Sequence, residues 1–359
     1  MSPIPGSVLI DRAEHVPRRT ISKLVIESKE EAEAVPECSH GKALKFTRMD
    51  LKLGKAREFY ACSANRDRKI CSLFFWVEDW ERKVRKGGSA MTSKDELPRV
   101  KKTKVDETFE VPALVENSSN AQFLFDSSSV KNLVEILQGQ IDVSTARVLC
   151  IGTPTVHRRL LDAKMDSTLL DEDERLVESL SQTIRFNMYN GNFFAGSPPA
   201  DDFNAIVLDP PFHPELLPAL FNTLESAFPI SLKRSTILFA FPYFNAGALH
   251  AAWPALVMTD IRLTYRNHKK YISAERSPVR LFSTKPVTAL TDSEYKFCES
   301  CQVVVHCSNQ HCEACAKCTT ITGAGAYTHC VRCAKCVKPT AVHCKTCNGC
   351  FLGLHSHKV

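Results

Sequence analysis

The pattern His-Cys-x-x-Cys-x-x-Cys occurs three times near the C-terminus, at His311–Cys318, His329–Cys336 and His343–Cys350. A stretch so dense in ligands and so poor in large apolar residues cannot bury a core, so metal binding must supply its folding energy. Of the sixteen cysteines, twelve lie from Cys298 onward, mostly as C-x-x-C pairs beside histidines, which is the spacing of zinc sites rather than of disulfides. The simplest arrangement interleaves three Cys₃His sites: Cys298, Cys301, His311 and Cys318; Cys312, Cys315, His329 and Cys336; Cys330, Cys333, His343 and Cys350. Cys344 and Cys347 are then left over, with His355 and His357 as available partners. A second parsing groups Cys347, Cys350 and His355 as a zinc knuckle.

A second ligand group stands upstream. Cys38, His40, Cys62 and Cys71 suffice for one closed tetrahedral site, and the apolar runs around Phe59–Cys62 and Leu73–Trp76 predict short strands about it. This module resembles the GRF-type zinc finger, which binds single-stranded nucleic acid. Its Gly-Arg-Phe run is interrupted here, as Gly54-Lys55-Ala56-Arg57-Glu58-Phe59. The tail in turn resembles the cysteine-rich domain of the Asp-His-His-Cys palmitoyltransferases. Tyr327-Thr328-His329-Cys330 stands where their catalytic tetrapeptide would be, so its cysteines read as ligands and not as nucleophiles.

Between and around these modules the composition is that of a globular protein, 44% hydrophobic and 24% charged. Residues 1–36 are polar and proline-punctuated, which predicts a largely disordered tail. Residues 81–109 read as a basic linker: Glu81 to Lys104 carries nine Lys/Arg against three acids, enough to add salt-sensitive phosphate contacts. No apolar targeting segment opens the sequence, which predicts a reducing compartment. The most apolar window, Ile237 to Met258, is broken by Pro242, Asn245, His250 and Pro254 and reads as core rather than a membrane span.

From residue 110 to 291 strands alternate with helices. Gln122–Phe125, Arg147–Ile151, Ser167–Leu170, Phe203–Leu208, Thr236–Phe241 and Val279–Phe282 read as strands; Ser129–Leu137, Asp173–Gln182 and His213–Ala227 read as helices. That alternation predicts an α/β fold with a Rossmann-like, largely parallel, doubly wound sheet, which binds ligands at the carboxyl edge of its strands. The strand Ala205-Ile206-Val207-Leu208 delivers Asp209-Pro210-Pro211-Phe212 to that edge, because proline cannot continue the ladder. A carboxylate, a carbonyl and a ring suit a planar base with an exocyclic amine. Upstream, Gly152 ends the first strand in a tight turn, and Asp171 ends the next, where such folds hold ribose hydroxyls. Asn192-Phe193 follow. Asp171 also fits a helix N-cap, and Asn192 also fits plain turn chemistry.

The Asp209–Phe212 tetrapeptide resembles the catalytic motif of adenine-N6 methyltransferases, and the order Gly152, Asp171, Asn192-Phe193, Asp209 is similar to class I enzymes using S-adenosylmethionine. Phe123-Leu124-Phe125-Asp126, Leu170-Asp171-x-Asp173-x-Arg175, Phe241-Pro242-Tyr243-Phe244 and Ser277–Phe282 narrow the resemblance. With the order finger, catalytic domain, cysteine-rich tail, the chain is identified as a member of the zinc-finger CCHC-type ribosomal RNA adenine-N6 methyltransferases. The resemblance implies S-adenosylmethionine and zinc as cofactors and an adenosine of large-subunit ribosomal RNA as target. It further implies no membrane attachment and residence in nucleus, nucleolus and cytoplasm. It assigns Asp209, Pro210, Pro211 and Phe212 to catalysis and Gly152, Asp171, Asn192 and Phe193 to the cofactor. One part is missing: residues 81–149 contain no cysteine, so the additional Cys₂His₂ finger that some members carry has no counterpart.

Overall fold

The structure is a computed structural model that describes residues 23–25, 35–50, 54–65, 68–86, 123–268, 271–274, 277–320 and 325–353. Most of the stretch read as a disordered tail and most of the basic linker, with Gln122, lie outside these residues.

The centre is a seven-stranded sheet in the order Val257–Arg262, Val279–Ser283, Thr236–Pro242, Ala205–Leu208, Arg147–Ile151, Asp166–Asp171, Thr183–Arg185. Every pairing is parallel except the two made by Val279–Ser283, which is inserted antiparallel between its neighbours. The sheet is therefore doubly wound and largely parallel, the Rossmann-like class that the alternation predicts. Strands buried on both faces need apolar side chains at every position. Val148, Cys150, Val207, Leu238 and Ala240 face one layer, with Leu133, Leu137, Val156 and Leu160 from the helices Ser127–Gln140 and Pro154–Asp162. Leu149, Ile151, Ile206, Leu208, Ile237 and Phe239 face the other, against Leu217, Leu220 and Leu224 of the helix Leu217–Ala227. Each fully buried Leu, Ile or Phe contributes about 1.5–3 kcal/mol.

Short elements escaped the sequence pattern. The strand Thr183–Arg185, the edge strand Val257–Arg262, and the helices Pro154–Asp162, Pro229–Arg234 and Ala246–Ala252 were not predicted. The helix read over Asp173–Gln182 spans only Glu174–Ser179, because Leu180 turns extended. Gln122–Phe125 forms no strand among the described residues; Phe125 makes a single bridge to Tyr265. The apolar window after Ile237 is a buried strand, a short helix and an edge strand. No helix among the described residues is long and apolar enough to cross a membrane.

The flanking modules are joined to this sheet. The finger is a four-stranded antiparallel sheet of Lys23–Val25, Leu44–Asp50, Lys55–Ala61 and Phe74–Trp76. It continues into the helix Val77–Arg85, which buries Trp80, so the start of the predicted linker belongs to the finger. Phe46 and Phe59 of the finger share a core with the central sheet. At the other end, Tyr295 and Val304 from the first tail hairpin join the opposite core layer. Asp260 on the edge strand accepts hydrogen bonds from the His306 N–H and the Asn309 amide, both at 2.9 Å. The remaining tail is a run of small hairpins, His311–Cys312 with Lys317–Cys318, Thr328–Cys330 with Lys335–Val337, and Ala341–Cys344 with Gly349–Leu352.

Candidate active site

Ala205–Leu208 pairs with Arg147–Ile151 on one side and Thr236–Pro242 on the other, and the winding reverses between Ala205–Leu208 and Arg147–Ile151. Ligands bind outside the carboxyl ends of the strands at such a switch point. Gly152 turns there with φ +67°, a conformation that favours glycine, and a Cβ on it would stand 2.9 Å from the Asp209 carbonyl oxygen. The turn thus presses against the end of the Ala205–Leu208 strand, and only a residue without a side chain leaves that cradle open. Asp171 ends the neighbouring strand and is buried. Its Oδ1 accepts from the Asp173 N–H at 3.0 Å, while the helix N-cap is Asp173, which also grips Arg175. The capping alternative for Asp171 is therefore taken by its neighbour. A glycine-floored cradle beside a buried carboxylate at a switch point fits a nucleoside cofactor such as S-adenosylmethionine.

Asp209 follows the strand Ala205–Leu208 at the same sheet edge. The Tyr265 hydroxyl donates to Asp209 Oδ1 at 2.8 Å, and among the described residues Oδ2 has no hydrogen-bond partner. Burial pushes the Asp209 carboxyl well above the usual carboxylate range, opposed by the Tyr265 bond. Burial and the adjacent Asp209 push Tyr265 up as well, so it stays a donor. Phe212 is partly buried, edge-on to Phe241 at 5.9 Å and to Tyr265 at 6.2 Å. Pro210 is buried and Pro211 exposed. Of the Phe241–Phe244 run, Phe241 is core and Phe244 is exposed.

Tyr265 was not singled out from the sequence, since 56 positions separate it from Asp209. Its seat is built by the Phe123–Asp126 stretch. Phe125 stacks on the Tyr265 ring at 4.9 Å, and Phe123 meets it edge-on at 6.1 Å. Asp126 accepts from the Thr264 hydroxyl and caps the helix Ser127–Gln140 through the Ser129 N–H.

The loop after Thr183–Arg185 joins this site to the finger. Asn187 donates to the His40 carbonyl at 3.2 Å and to Ser63 at 2.8 Å; Asn190 donates to the carbonyls of His40 and Lys42, both at 2.9 Å. Asn192 faces the same way, its Cβ within 2.7 Å of where a Gly41 Cβ would stand. Phe193 packs on Phe186 at 4.6 Å. Met188, at the head of the same stretch and given no role by the sequence, reaches the Gly152 turn.

All four ligand groups come together. In each of Cys38/His40/Cys62/Cys71, Cys298/Cys301/His311/Cys318, Cys312/Cys315/His329/Cys336 and Cys330/Cys333/His343/Cys350 the donor atoms lie within 4.8 Å of one another. In the tail, sulfur–sulfur distances are 3.6–4.0 Å and sulfur–Nδ1 distances 3.2–3.9 Å. A tetrahedron with ligands about 2.0–2.3 Å from zinc has edges of roughly that length. Cys350 closes the third tail site with Cys333 at 3.6 Å, so the knuckle parsing of Cys347, Cys350 and His355 does not hold. His355 lies outside the described residues, and Cys344 and Cys347 stand in the last hairpin and its turn.

Residues 116–291 match the family described as "Probable N6-adenine methyltransferase". Among curated proteins, the rRNA N(6)-adenosine-methyltransferase ZCCHC4 of Homo sapiens is 29% identical over 371 aligned residues, covering 80% of this chain and 72% of that one. The protein of the same name from Xenopus tropicalis is 28% identical, covering 80% and 75%, and that from Mus musculus 29% identical, covering 77% and 70%. Among solved structures, the E. cuniculi Mtq2–Trm112 complex gives a TM-score of 0.31 at 12% identity, over 45% of this chain and 97% of that one.

Proposed function

Through residues 116–291 the chain belongs to the N6-adenine methyltransferase family, and from that premise we propose that it methylates the exocyclic N6 of an unpaired adenosine in ribosomal RNA, in the large subunit. The observation that carries the reading is Asp209: a carboxylate at the switch point, one oxygen fixed by Tyr265, beside a stacking ring. S-adenosylmethionine, when bound, supplies an activated methyl group on a sulfonium. Gly152 and Asp171 would hold it, the first by leaving room for close backbone approach and the second through ribose hydroxyls.

The amine of adenine is a poor nucleophile because its lone pair is delocalised into the ring. Asp209 Oδ2 and the Pro210 carbonyl would accept its two hydrogens and turn the lone pair out of the ring plane toward the methyl. Phe212, held edge-on by Phe241 and Tyr265, would stack on the base, worth about 1–3 kcal/mol. As the new N–C bond forms, N6 must lose a proton. A carboxylate whose affinity for protons is raised by burial can take it at Oδ2. Positioning and charge placement carry the rate. A base inside a helix cannot bring its amine to a carboxylate buried at the sheet edge, so the target must be unpaired or flipped out.

The finger supports an RNA substrate. Trp76 has the guanidinium of Arg57 at 3.8 Å and that of Arg48 at 4.6 Å over its ring, and Arg68 lies 3.9 Å over Phe74. Rings paired with cations are what single-stranded nucleic acid uses for stacking and phosphate contact. A ribosomal RNA target would place the protein in the nucleolus and cytoplasm. The test is recombinant protein with labelled S-adenosylmethionine and total RNA from cells lacking it, followed by nucleoside analysis. The expected result is label in N6-methyladenosine of ribosomal RNA, lost in Asp209→Ala. Label in another nucleoside, or none with the wild type, would sink the assignment.

A further inference from the structure

The turn that follows the strand Thr236–Pro242 is braced from below by a buried charge. Tyr243–Asn245 forms a single 3₁₀ turn. The Tyr243 N–H donates to the Pro278 carbonyl at 2.9 Å, and the guanidinium of Arg280 lies 5.4 Å over the Tyr243 ring. Arg280 is only 2% exposed and donates to the carbonyls of Ser277 and Val279 at 2.9 and 3.0 Å. It stands directly opposite Arg262 of the edge strand, which is buried too, and like charges facing each other across a ladder are destabilising. Burial, with Arg262 adding to it and Asp260 opposing, pulls the Arg280 guanidinium down to about 10. Keeping a charge there is costly, and its ring contact fixes the turn. That turn presents Phe244, which at 50% exposure is the most exposed phenylalanine among the described residues.

The register places this ring outward of the candidate catalytic carboxylate. Leu208 lies beside Phe239 in the parallel ladder, so Asp209 is level with Ala240. Tyr243 comes three residues later, about 10 Å further along the strand direction. Phe212 meets Phe241 edge-on at 5.9 Å, and Tyr243 meets Phe244 edge-on at 5.7 Å. Rings thus rise along the sheet edge from Phe212 to Phe244. An adenosine drawn out of its stack to reach Asp209 leaves the neighbouring base with a bare face, which a protein ring can cover. On the premise that Asp209 acts on such an adenosine, we propose that Phe244 stacks on a base adjoining the target, with Tyr243 and Arg280 as positioning residues that hold the ring in place. The contact fixes the strand without reading its sequence, because every base has a stacking face.

A thermodynamic cycle on the full chain tests this. The probes are single-stranded oligoribonucleotides with one adenosine among uridines, intact or with an abasic residue before the adenosine, after it, or in its place. S-adenosylhomocysteine is present throughout. Phe244→Ala should weaken binding of the intact strand about fivefold to a hundredfold. The slope of affinity against salt should not change, since no phosphate contact is lost. Phe244→Trp should bind at least as tightly as the wild type. The loss in Phe244→Ala should disappear when one of the two flanking positions is abasic. A loss that persists with either flank abasic would overturn the stack, and one that disappears only with the adenosine itself abasic would move Phe244 to the target base. Wild-type affinity in Phe244→Ala, together with Asp209-dependent labelling of the intact strand, would overturn the stack and leave the methylation standing. The full cycle without any label would support the stack and tell against the methylation.

Discussion

Asp209 and Tyr265 set the pH behaviour expected of the reaction. Transfer needs Asp209 as an acceptor, so activity rises with pH through a carboxyl pKa that burial has raised. The Tyr265 hydroxyl favours the ionised form and holds that pKa down. Tyr265→Phe should therefore move the acid limb of the single-turnover pH–rate profile to higher pH, with the neutral-pH rate falling and the alkaline rate largely recovered. A limb that stays in place would remove Tyr265 from any positioning role. Asp171→Ala should weaken S-adenosylmethionine binding by about tenfold to a hundredfold, the worth of hydrogen bonds to a charged group. Calorimetry showing unchanged affinity would leave Asp171 a local structural role, accepting from the Asp173 N–H. Asp209 and Gly152 were legible in sequence because a short apolar strand running into proline or glycine marks a carboxyl edge. Tyr265 was not, since nothing local to it signals a partner across the sheet.

At the scale of elements, the strands of the central sheet were the most readable part, being continuous apolar runs buried on both faces. Short helices and the edge strand Val257–Arg262 were not, because elements of six to nine residues repeat their period only two or three times and Val257 is exposed. The sequence also divided finger from catalytic domain, where the structure has them share a core and a hydrogen-bonded loop. Gly41 is the hinge of that contact: its φ of +92° favours glycine, and a Cβ would stand 2.7 Å from Asn190 Nδ2 and from Asn192 Cβ. Gly41→Ala should cost about 2 kcal/mol or more in a denaturant titration. It should also weaken cofactor binding through the Asn187–Asn192 loop. A change under about 0.5 kcal/mol would show that the finger is not fixed to the loop.

For the whole molecule, metal and apolar burial divide the chain between them. The central sheet is held by its two core layers, whereas in the hairpins beyond Asn309 Thr320 alone among the described residues is buried, and these are held by their ligand clusters. The first tail hairpin belongs to both regimes, since Tyr295 and Val304 lie in the same core as Ile261, Leu263 and Val287. Ending the chain at Thr291 would keep every residue matched by the family yet uncover that core and the edge strand. Such a truncation should melt several degrees below the full chain and aggregate more readily. Equal melting temperatures would mean that the tail is only appended.

The central claim is that this site methylates one kind of atom in one kind of RNA, and mapping in cells tests it most directly. N6-methyladenosine in ribosomal RNA should be mapped at single-nucleotide resolution in cells carrying the wild type, no protein, or Asp209→Ala at matched abundance. An adenosine of the large-subunit RNA should lose its methyl group in the null and in Asp209→Ala alike. A ribosomal methylation pattern identical in all three would contradict the account.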